Sequence, residues 1–191
     1  MAPEPRVGFE LELGTDSSDA TEAFAARFAK LLRAGDVVAL HGELGAGKTC
    51  FVRGLAAGLG VEGPVSSPTF TLMHAYEGPL PLNHLDAWMA ERGEAFLSDG
   101  GADWLRGEGV SAIEWAERVA GWLPAERFEV RLEHAGPEQR RLRVTWTGDE
   151  PRLAPLAHGP SAPVEPAIPA RIPPPNPPPH APPSPPSGAL S

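Results

Sequence analysis

The residues best suited to chemistry lie in one short stretch, HGELGAGKTC at 41–50, with three glycines, a threonine and one of the chain's two lysines. Glycines adopt positive φ readily, so such a loop can turn its backbone N–H groups towards phosphate oxygens. A lysine in this loop reaches the β and γ phosphates of a nucleotide, and a threonine hydroxyl ligates Mg²⁺. The residues that match the spacing G-x-x-x-x-G-K-[ST] are Gly42, Gly45, Gly47, Lys48 and Thr49.

The loop therefore predicts a nucleotide site, and its neighbours Ala46 and Cys50 are included among the predicted contacts. Cys50 is the only cysteine and follows the loop by one residue, so we expect a small buried side chain and not a reactive thiol. The plainer alternative is a glycine-rich turn that contains a lysine and a threonine by chance. The elements on either side of the loop decide between the two.

A carboxylate must hold the water shell of the metal, and in such sites it ends a strand beside the loop. Asp86 ends the stretch LNHLD and Glu114 ends SAIE, so both are candidates. An acidic residue at a strand end can also be simply solvated, and the sequence alone leaves both positions open. The candidate catalytic residues are Lys48, Asp86 and Glu114, and the candidate metal ligands are Thr49, Asp86 and Glu114.

The base of the nucleotide is predicted to be adenine. Guanine sites often carry N-K-x-D, and NHLD at 83–86 lacks the lysine and already uses its aspartate for the metal. An aromatic side chain such as Trp115 can stack on adenine, although a tryptophan packed in the core is an equally good interpretation. Asp19 and Arg140 are further candidates at the border of the nucleotide site, with helix capping and solvation as their alternatives.

The surrounding elements fit a phosphate-binding loop. A short apolar run, DVVAL at 36–40, precedes it, as expected for a parallel strand buried on both faces. Helical spacing resumes at Lys48 and stops at Gly60. Strand, glycine loop and helix in this order favour the nucleotide-binding interpretation.

The remaining periodicity predicts a mixed α/β sheet of the P-loop NTPase type, with a parallel core, flanking antiparallel strands and helices on both faces. The first predicted helix follows an amphipathic strand and is capped by Ser18 or Asp19. Alternating apolar residues on either side of HAGPEQ predict an antiparallel hairpin near the end of the domain. The other predicted strands are 7–13, 69–76, 80–86 and 109–115, and a short helix is predicted at 91–97.

Composition divides the chain into a folded domain, 1–149, which carries the predicted P-loop, and a disordered proline-rich tail, 150–191. Of 24 prolines, 16 lie between Pro151 and Pro186, where apolar periodicity ends. The net charge is −9, and all of it belongs to the first segment, because the charged residues of the second cancel. A domain this acidic binds nucleic-acid phosphates poorly, so any RNA would need the basic surface of a partner. The tail is expected to be an inert extension, with a docking segment as the alternative.

No run of 18 apolar residues occurs, and the start of the chain lacks the features of a secretory signal. We therefore expect a cytoplasmic protein without a membrane segment. The six histidines are scattered singly and show no zinc spacing, so they are expected to be surface or internally satisfied residues.

The motifs together resemble the TsaE family, the bacterial ATPases of tRNA threonylcarbamoyladenosine synthesis. The resemblance covers about residues 5–147 and rests on several pieces in the same order and spacing. These pieces are GELGAGKT, FVRG, SPTFTL at 67–72, HLD at 84–86, IEW at 113–115 and LP at 123–124. The chain departs from the family pattern at Ala87, Trp88 and Met89, where the family usually has leucine, tyrosine and arginine.

The resemblance implies ATP or ADP and Mg²⁺ as cofactors, and it implies a role for each matching residue. Lys48 and Thr49 would contact phosphate and Mg²⁺, and Asp86 would act as the Walker B-like carboxylate. Glu114 would hold the metal or orient water, and Trp115 would lie near the adenine. The SPTF segment would be a switch-like loop in which Thr69 senses the γ-phosphate.

The resemblance also implies what hydrolysis achieves. Such proteins bind the TsaB and TsaD heterodimer, in which TsaD modifies adenosine 37 of tRNAs that read codons beginning with A. This chain would hydrolyse ATP to reset that complex, and its turnover alone would be weak. Two alternatives remain at this point: a module that uses ATP only for assembly, and a small-molecule kinase, which generally needs an arginine-bearing lid.

Overall fold

The structure is a computed structural model that describes residues 9–157. The predicted strand residues before 9 and the tail from 158 onwards lie outside this range. The strands are β1 (Phe9–Thr15), β2 (Val37–His41), β3 (Met73–Tyr76), β4 (Leu82–Asp86), β5 (Val110–Glu114), β6 (Phe128–His134) and β7 (Arg140–Trp146). The α-helices are α1 (Ser18–Ala29), α2 (Lys48–Leu59), α3 (Ala90–Ser98) and α4 (Ala154–Ala157), and 3-10 helices cover Gly101–Arg106 and Ala116–Trp122.

The seven strands form one mixed sheet in the order β1-β7-β6-β2-β5-β4-β3. The four central strands, β6, β2, β5 and β4, run parallel to one another. Antiparallel strands β7 and β1 extend one side of this core, and antiparallel β3 extends the other. The predicted parallel core with flanking antiparallel strands is confirmed.

The central strand β2 is buried on both faces, as its unbroken apolar run predicts. Val38 and Leu40 belong to the core beneath α1 and α2. Val37 and Ala39 belong to a second core that includes Leu97 of α3 and both 3-10 helices. Helices therefore cover both faces of the sheet, and none of those within 9–157 is long and apolar enough to cross a membrane.

Two local predictions are wrong. The predicted strand 69–76 begins only at Met73, because the chain before it turns back towards β4 and Leu72 adopts a φ of 68°. The Leu72 carbonyl accepts a hydrogen bond from Asp86 N–H at 2.9 Å. The cap of α1 is Ser17 and not Ser18 or Asp19, since the extended Ser17 backbone lets its hydroxyl accept from Ala20 N–H.

The folded part continues past the predicted boundary at residue 149. Leu153 is fully buried in the main core, and α4 follows it. Arg152 forms two 2.6 Å hydrogen bonds to the Asp36 carboxylate and lies over the Phe128 and Trp146 rings. This segment packs on the domain, beyond the predicted boundary at 149. The proline count concealed it because Pro151 and Pro155 flank the buried leucine.

Helices α1 and α2 approach closely because two glycines of α2 face α1. A Cβ at Gly54 would lie 2.3 Å from the Glu22 carbonyl oxygen, and one at Gly58 would lie 2.4 Å from that of Ala26. Those distances are far inside van der Waals contact with backbone atoms. Small residues at these two positions therefore set the spacing that places the start of α2 beside the start of α1.

We expect Gly58→Ala to lower the free energy of unfolding by roughly 1–3 kcal/mol, the usual cost of overpacking. This would outweigh the gain of about 1 kcal/mol in helix propensity that alanine brings over glycine. Urea unfolding measures the change. Gly121→Ala is the matched control, since its Cβ would meet no atom within 4 Å and stability should hold or rise slightly. Equal stability of the two variants would refute the close-approach argument.

The sheet face of β1, β7 and β6 that points away from the helices carries a ladder of charged side chains. Arg143 lies 3.4 Å from Glu12 and 3.7 Å from Glu10. Arg141 lies 3.6 Å from Glu12 and 4.0 Å from Glu133. Leu142 and Val144, which alternate with these arginines along β7, are fully buried on the opposite face, as alternation along a strand requires.

Candidate functional site

The glycine loop joins β2 to α2 in the conformation that its sequence predicts. Gly42, Gly45 and Gly47 all have positive φ, at 144°, 76° and 103°. At Gly42 a side chain is excluded outright, because a Cβ would lie 2.4 Å from the Leu132 carbonyl oxygen of β6. Ala46 is fully buried beneath the loop, with its N–H bonded to the Glu43 carbonyl.

The N-terminus of α2 points its free N–H groups into this loop. The first intrahelical bond runs from Phe51 N–H to the Gly47 carbonyl at 2.9 Å. The N–H groups of Lys48, Thr49 and Cys50 therefore precede the helical ladder and have no acceptor within it. Such a helix start favours an anion, since the helix dipole adds partial positive charge there.

Lys48 is only 5% exposed, and its ammonium turns back over its own loop. It donates to the carbonyls of Gly42 at 2.7 Å and Glu43 at 2.9 Å, and it lies 3.6 Å from the centre of the Trp115 ring. Burial lowers the pKa of the Lys48 ammonium, and the nearby Glu114 carboxylate opposes that shift. The site thus holds a partly desolvated cation beside an anion-binding helix start.

The two candidate carboxylates meet at the edge of the sheet that carries the loop. Leu40, Glu114 and Asp86 are paired across parallel strands β2, β5 and β4, so all three strands end together. Both carboxylates are 3% exposed. Glu114 Oε1 accepts a 2.8 Å hydrogen bond from the Thr49 hydroxyl, which joins the loop helix to the sheet.

Asp86 is engaged by the segment that precedes β3. Its Oδ2 accepts from the Ser67 hydroxyl at 2.6 Å and from the Thr69 hydroxyl at 2.5 Å. Its Oδ1 accepts from Trp88 N–H at 2.9 Å. The predicted switch-like loop therefore contacts the predicted metal carboxylate directly.

Trp115 lies over the ammonium of Lys48. Its backbone has a φ of 57°, an uncommon conformation for a bulky residue and one that clusters at functional sites. Its ring contacts that of Trp88 with centroids 4.6 Å apart, and the guanidinium of Arg118 lies over both rings. Trp88, at the position where the resemblance implies a tyrosine, therefore lies next to the site.

A cavity of about 480 Å³ connects these groups. All predicted site residues line it except Gly42 and Ala46, which lie in the loop itself, and Asp19, which is exposed on α1. Ser18, Thr21 and Arg140 also line this cavity. The Arg140 guanidinium donates to the loop carbonyls of Ala46 at 3.1 Å and Gly45 at 3.3 Å.

Sequence reasoning missed three residues of this site: Ser67, His84 and Trp88. Ser67 shares the Asp86 oxygen with Thr69, and His84 hydrogen-bonds Glu114. Each lies within or beside a recognised motif, SPTF or HLD, so position in the motif was the available signal. No zinc-site spacing surrounds His84 in the sequence. Its hydrogen bond to a carboxylate on another strand produces no pattern of residue spacing by which it could be predicted.

Cys50 lies at the wall of the cavity beside α1. Its thiol is 3.3 Å from the Ser18 carbonyl and 3.6 Å from a Glu22 carboxylate oxygen. Burial and the Glu22 charge raise the pKa of the Cys50 thiol to about 11. The thiol is therefore protonated at neutral pH, as a small buried residue and not a nucleophile.

We expect iodoacetamide to alkylate Cys50 roughly 100-fold more slowly at pH 8 in the folded chain than in urea, since only thiolate reacts. The rate should rise about tenfold per pH unit up to pH 10, because the raised pKa keeps the thiolate fraction small throughout this window. Mass spectrometry measures the rate, and no other cysteine interferes. A rate that levels off below pH 9 would contradict the raised pKa.

Residues 9–157 contain no group of three or more His, Cys, Asp or Glu side chains able to hold a metal alone. The donors that do meet are one hydroxyl and two carboxylates, Thr49, Glu114 and Asp86. Mg²⁺ is commonly held by one or two carboxylates together with substrate phosphates. The donor set therefore fits Mg²⁺ bound together with a nucleotide.

The loop, the helix start behind it and the aligned strand ends define a P-loop α/β protein. The family model for "Threonylcarbamoyl adenosine biosynthesis protein TsaE" matches residues 15–142. This chain belongs to the TsaE family.

Several relatives carry the name tRNA threonylcarbamoyladenosine biosynthesis protein TsaE. The one from Bacillus subtilis (strain 168) is 38% identical over 141 residues, which is 73% of this chain and 88% of the relative. The one from Treponema pallidum (strain Nichols) is 44% identical over 115 residues, which is 60% of this chain and 85% of the relative. The crystal structure of Bacillus subtilis YdiB superposes with a TM-score of 0.64 at 34% identity, covering 74% of this chain and 88% of YdiB.

Proposed function

We propose that this protein binds ATP with Mg²⁺ in the cavity and hydrolyses it to ADP and phosphate in support of tRNA threonylcarbamoyladenosine biosynthesis. One observation carries the proposal. Lys48, Thr49 and both buried carboxylates converge at one end of a cavity whose wall is the free start of α2. The names of the relatives supply the pathway.

The residues have distinct tasks in this proposal. The loop N–H groups and the Lys48 ammonium hold phosphate oxygens, and Thr49 with Asp86 and Glu114 holds the cation. When bound by these side chains, Mg²⁺ would supply positive charge to neutralise the phosphates during hydrolysis. Trp115 and Trp88 keep water away from the lysine, and Ser67 and Thr69 bring their loop to Asp86.

The contacts within the site support weak turnover by the chain alone. Asp86 Oδ2 already accepts two hydroxyl hydrogen bonds, and both loop carbonyls nearest to Lys48 hold its ammonium. A partner that moves the 67–72 segment would free the carboxylate. We propose that the partners are TsaB and TsaD, that hydrolysis resets their complex after adenosine 37 is modified, and that tRNA is met only through them.

The test is a pull-down of the full chain with TsaB and TsaD, with and without ATP, followed by an ATPase assay of the recovered complex. ATP-dependent capture and a hydrolysis rate well above that of the isolated chain are expected. An isolated rate that equals the rate with partners would count against partner-dependent hydrolysis.

The assembly module remains the second candidate, because the fully engaged Asp86 is also compatible with binding alone. Asp86→Asn and Glu114→Gln distinguish the two functions. If hydrolysis is essential, both variants bind ATP but fail to support threonylcarbamoyl modification of tRNA by the assembled complex. Normal modification with either variant would favour assembly without hydrolysis.

A further inference from the structure

His84 is a fully buried histidine in the middle of β4, two residues before Asp86. Side chains two apart on a strand share a face, so His84 and Asp86 both point to the side that carries α2. The His84 Nε2 lies 2.9 Å from Oε1 of Glu114 on the neighbouring strand. The buried imidazole of His84 therefore lies next to the candidate site, in contact with one of its carboxylates.

A single carboxylate oxygen joins three elements of the fold. Glu114 Oε1 accepts from Thr49 of α2 at 2.8 Å and meets His84 of β4 at 2.9 Å, while Glu114 itself ends β5. Two donors on one oxygen fix the plane of the carboxylate. Within residues 9–157 no hydrogen bond reaches the other oxygen, which stays open to a ligand.

The position of the ring proton follows from the partners available to His84. Its Nδ1 is buried and has no hydrogen-bond partner among the described residues. An orphaned N–H is rarer and more costly in a protein interior than an acceptor that lacks one of its bonds. The proton therefore belongs on Nε2, which donates it to Glu114.

We propose that His84 is a positioning residue for the metal–nucleotide site. Its Nε2–H holds Glu114 so that Oε1 accepts the Thr49 hydroxyl proton, which leaves the lone pairs of that hydroxyl directed away from Glu114 and towards a cation. Groups that orient metal ligands in this way typically change metal affinity by about 10- to 100-fold when removed. The inference rests on the proposed binding of nucleotide with Mg²⁺.

The test titrates MgCl₂ into the full-length chain with ADP present and follows binding by calorimetry. His84→Leu keeps the bulk but removes the donor, and we expect it to raise the Mg²⁺ concentration for half-maximal binding by about tenfold or more. Affinity for ADP in EDTA should stay within about twofold of the wild type, because the loop and Lys48 are untouched. If His84 had only a structural role, its replacement would change the Mg²⁺ dependence and the ADP affinity in EDTA together.

Two polar variants keep the test decisive should His84→Leu fail to fold. The amide nitrogen of His84→Gln reaches about as far as Nε2 and should restore Mg²⁺ dependence close to wild type. The shorter amide of His84→Asn ends near Nδ1 and should not. Asn83→Leu is the matched control on the opposite face of β4, where its amide contacts the Trp104 carbonyl; wild-type Mg²⁺ dependence is expected.

The possible outcomes separate the two claims. If wild-type ADP binding depends on Mg²⁺ but the glutamine, asparagine and leucine variants all match it, the positioning role is overturned and the proposed function stands. If the wild-type chain binds no ADP at any Mg²⁺ concentration, the proposed function itself fails.

Discussion

Lys48→Ala is expected to weaken ATP binding in the presence of Mg²⁺ by roughly 30- to 150-fold, the equivalent of about 2–3 kcal/mol for a lost charge-assisted contact. The ammonium is buried among loop carbonyls and beneath Trp115, so it is one of few cations that can meet a phosphate there. Its loss leaves the helix start alone to hold the anion. Calorimetry with ATP and MgCl₂ measures the change.

Lys30→Ala is the matched control, because Lys30 is the only other lysine. It lies at the far end of α1, where its ammonium hydrogen-bonds the Gly58 carbonyl and not the glycine loop. Affinity within about twofold of the wild type is expected, as for exposed substitutions away from a site. Equal heat from the wild type and from Lys48→Ala would remove the basis for the proposed nucleotide site.

Ending the chain at residue 149 should lower the free energy of unfolding by at least about 4 kcal/mol, much of the 5–15 kcal/mol typical of a domain. Removing a fully buried leucine such as Leu153 costs about 2–5 kcal/mol. The Asp36 carboxylate would also lose its two hydrogen bonds from Arg152, and a hydrogen bond to a charged group contributes about 1.5–3 kcal/mol. The two costs share neighbours and need not add.

Urea unfolding followed by tryptophan fluorescence measures this loss, and Trp146 beside Arg152 is a suitable reporter. A chain ending after residue 157 should match the full-length protein. Pro155→Ala changes an exposed residue of the same segment and should stay within about 0.5 kcal/mol. A chain ending at 149 that unfolds at the wild-type urea concentration would show that the segment adds nothing.

The glycine loop and the buried strand before it were predictable, because their physical demands fall on residue type. Gly42 must lack a side chain, since Leu132 of β6 fills that space, and β2 must be apolar on both faces. The alternation of β6 and β7 likewise follows from one buried and one solvated face. Each of these constraints limits the residue type at a single position, so the pattern and spacing of residues in the sequence reveal it directly.

The errors arose where a distant contact overrode local preference. The stretch before Met73 has strand-like composition, but Ser67, Thr69 and the Leu72 carbonyl all bond Asp86, so the chain turns instead. Leu153 lies between prolines, yet the core has a space for it. The roles assigned to Thr69, Trp115, Asp19 and Arg140 towards a nucleotide stay predictions, as do those of the loop residues and both carboxylates.

The ladder of Arg and Glu side chains on the solvent-exposed face of β1, β7 and β6 affects the register in which these strands pair. Each exposed ion pair adds about 0–1 kcal/mol at most, and salt screens it. A one-residue slip of β7 would instead drive Arg141 and Arg143 into the core and expose Leu142 and Val144. The charged side chains therefore destabilise misregistered strand pairings far more than they stabilise the native fold. The preference for the native register should persist at high salt, because it depends on the cost of burying charge and not on the ion pairs.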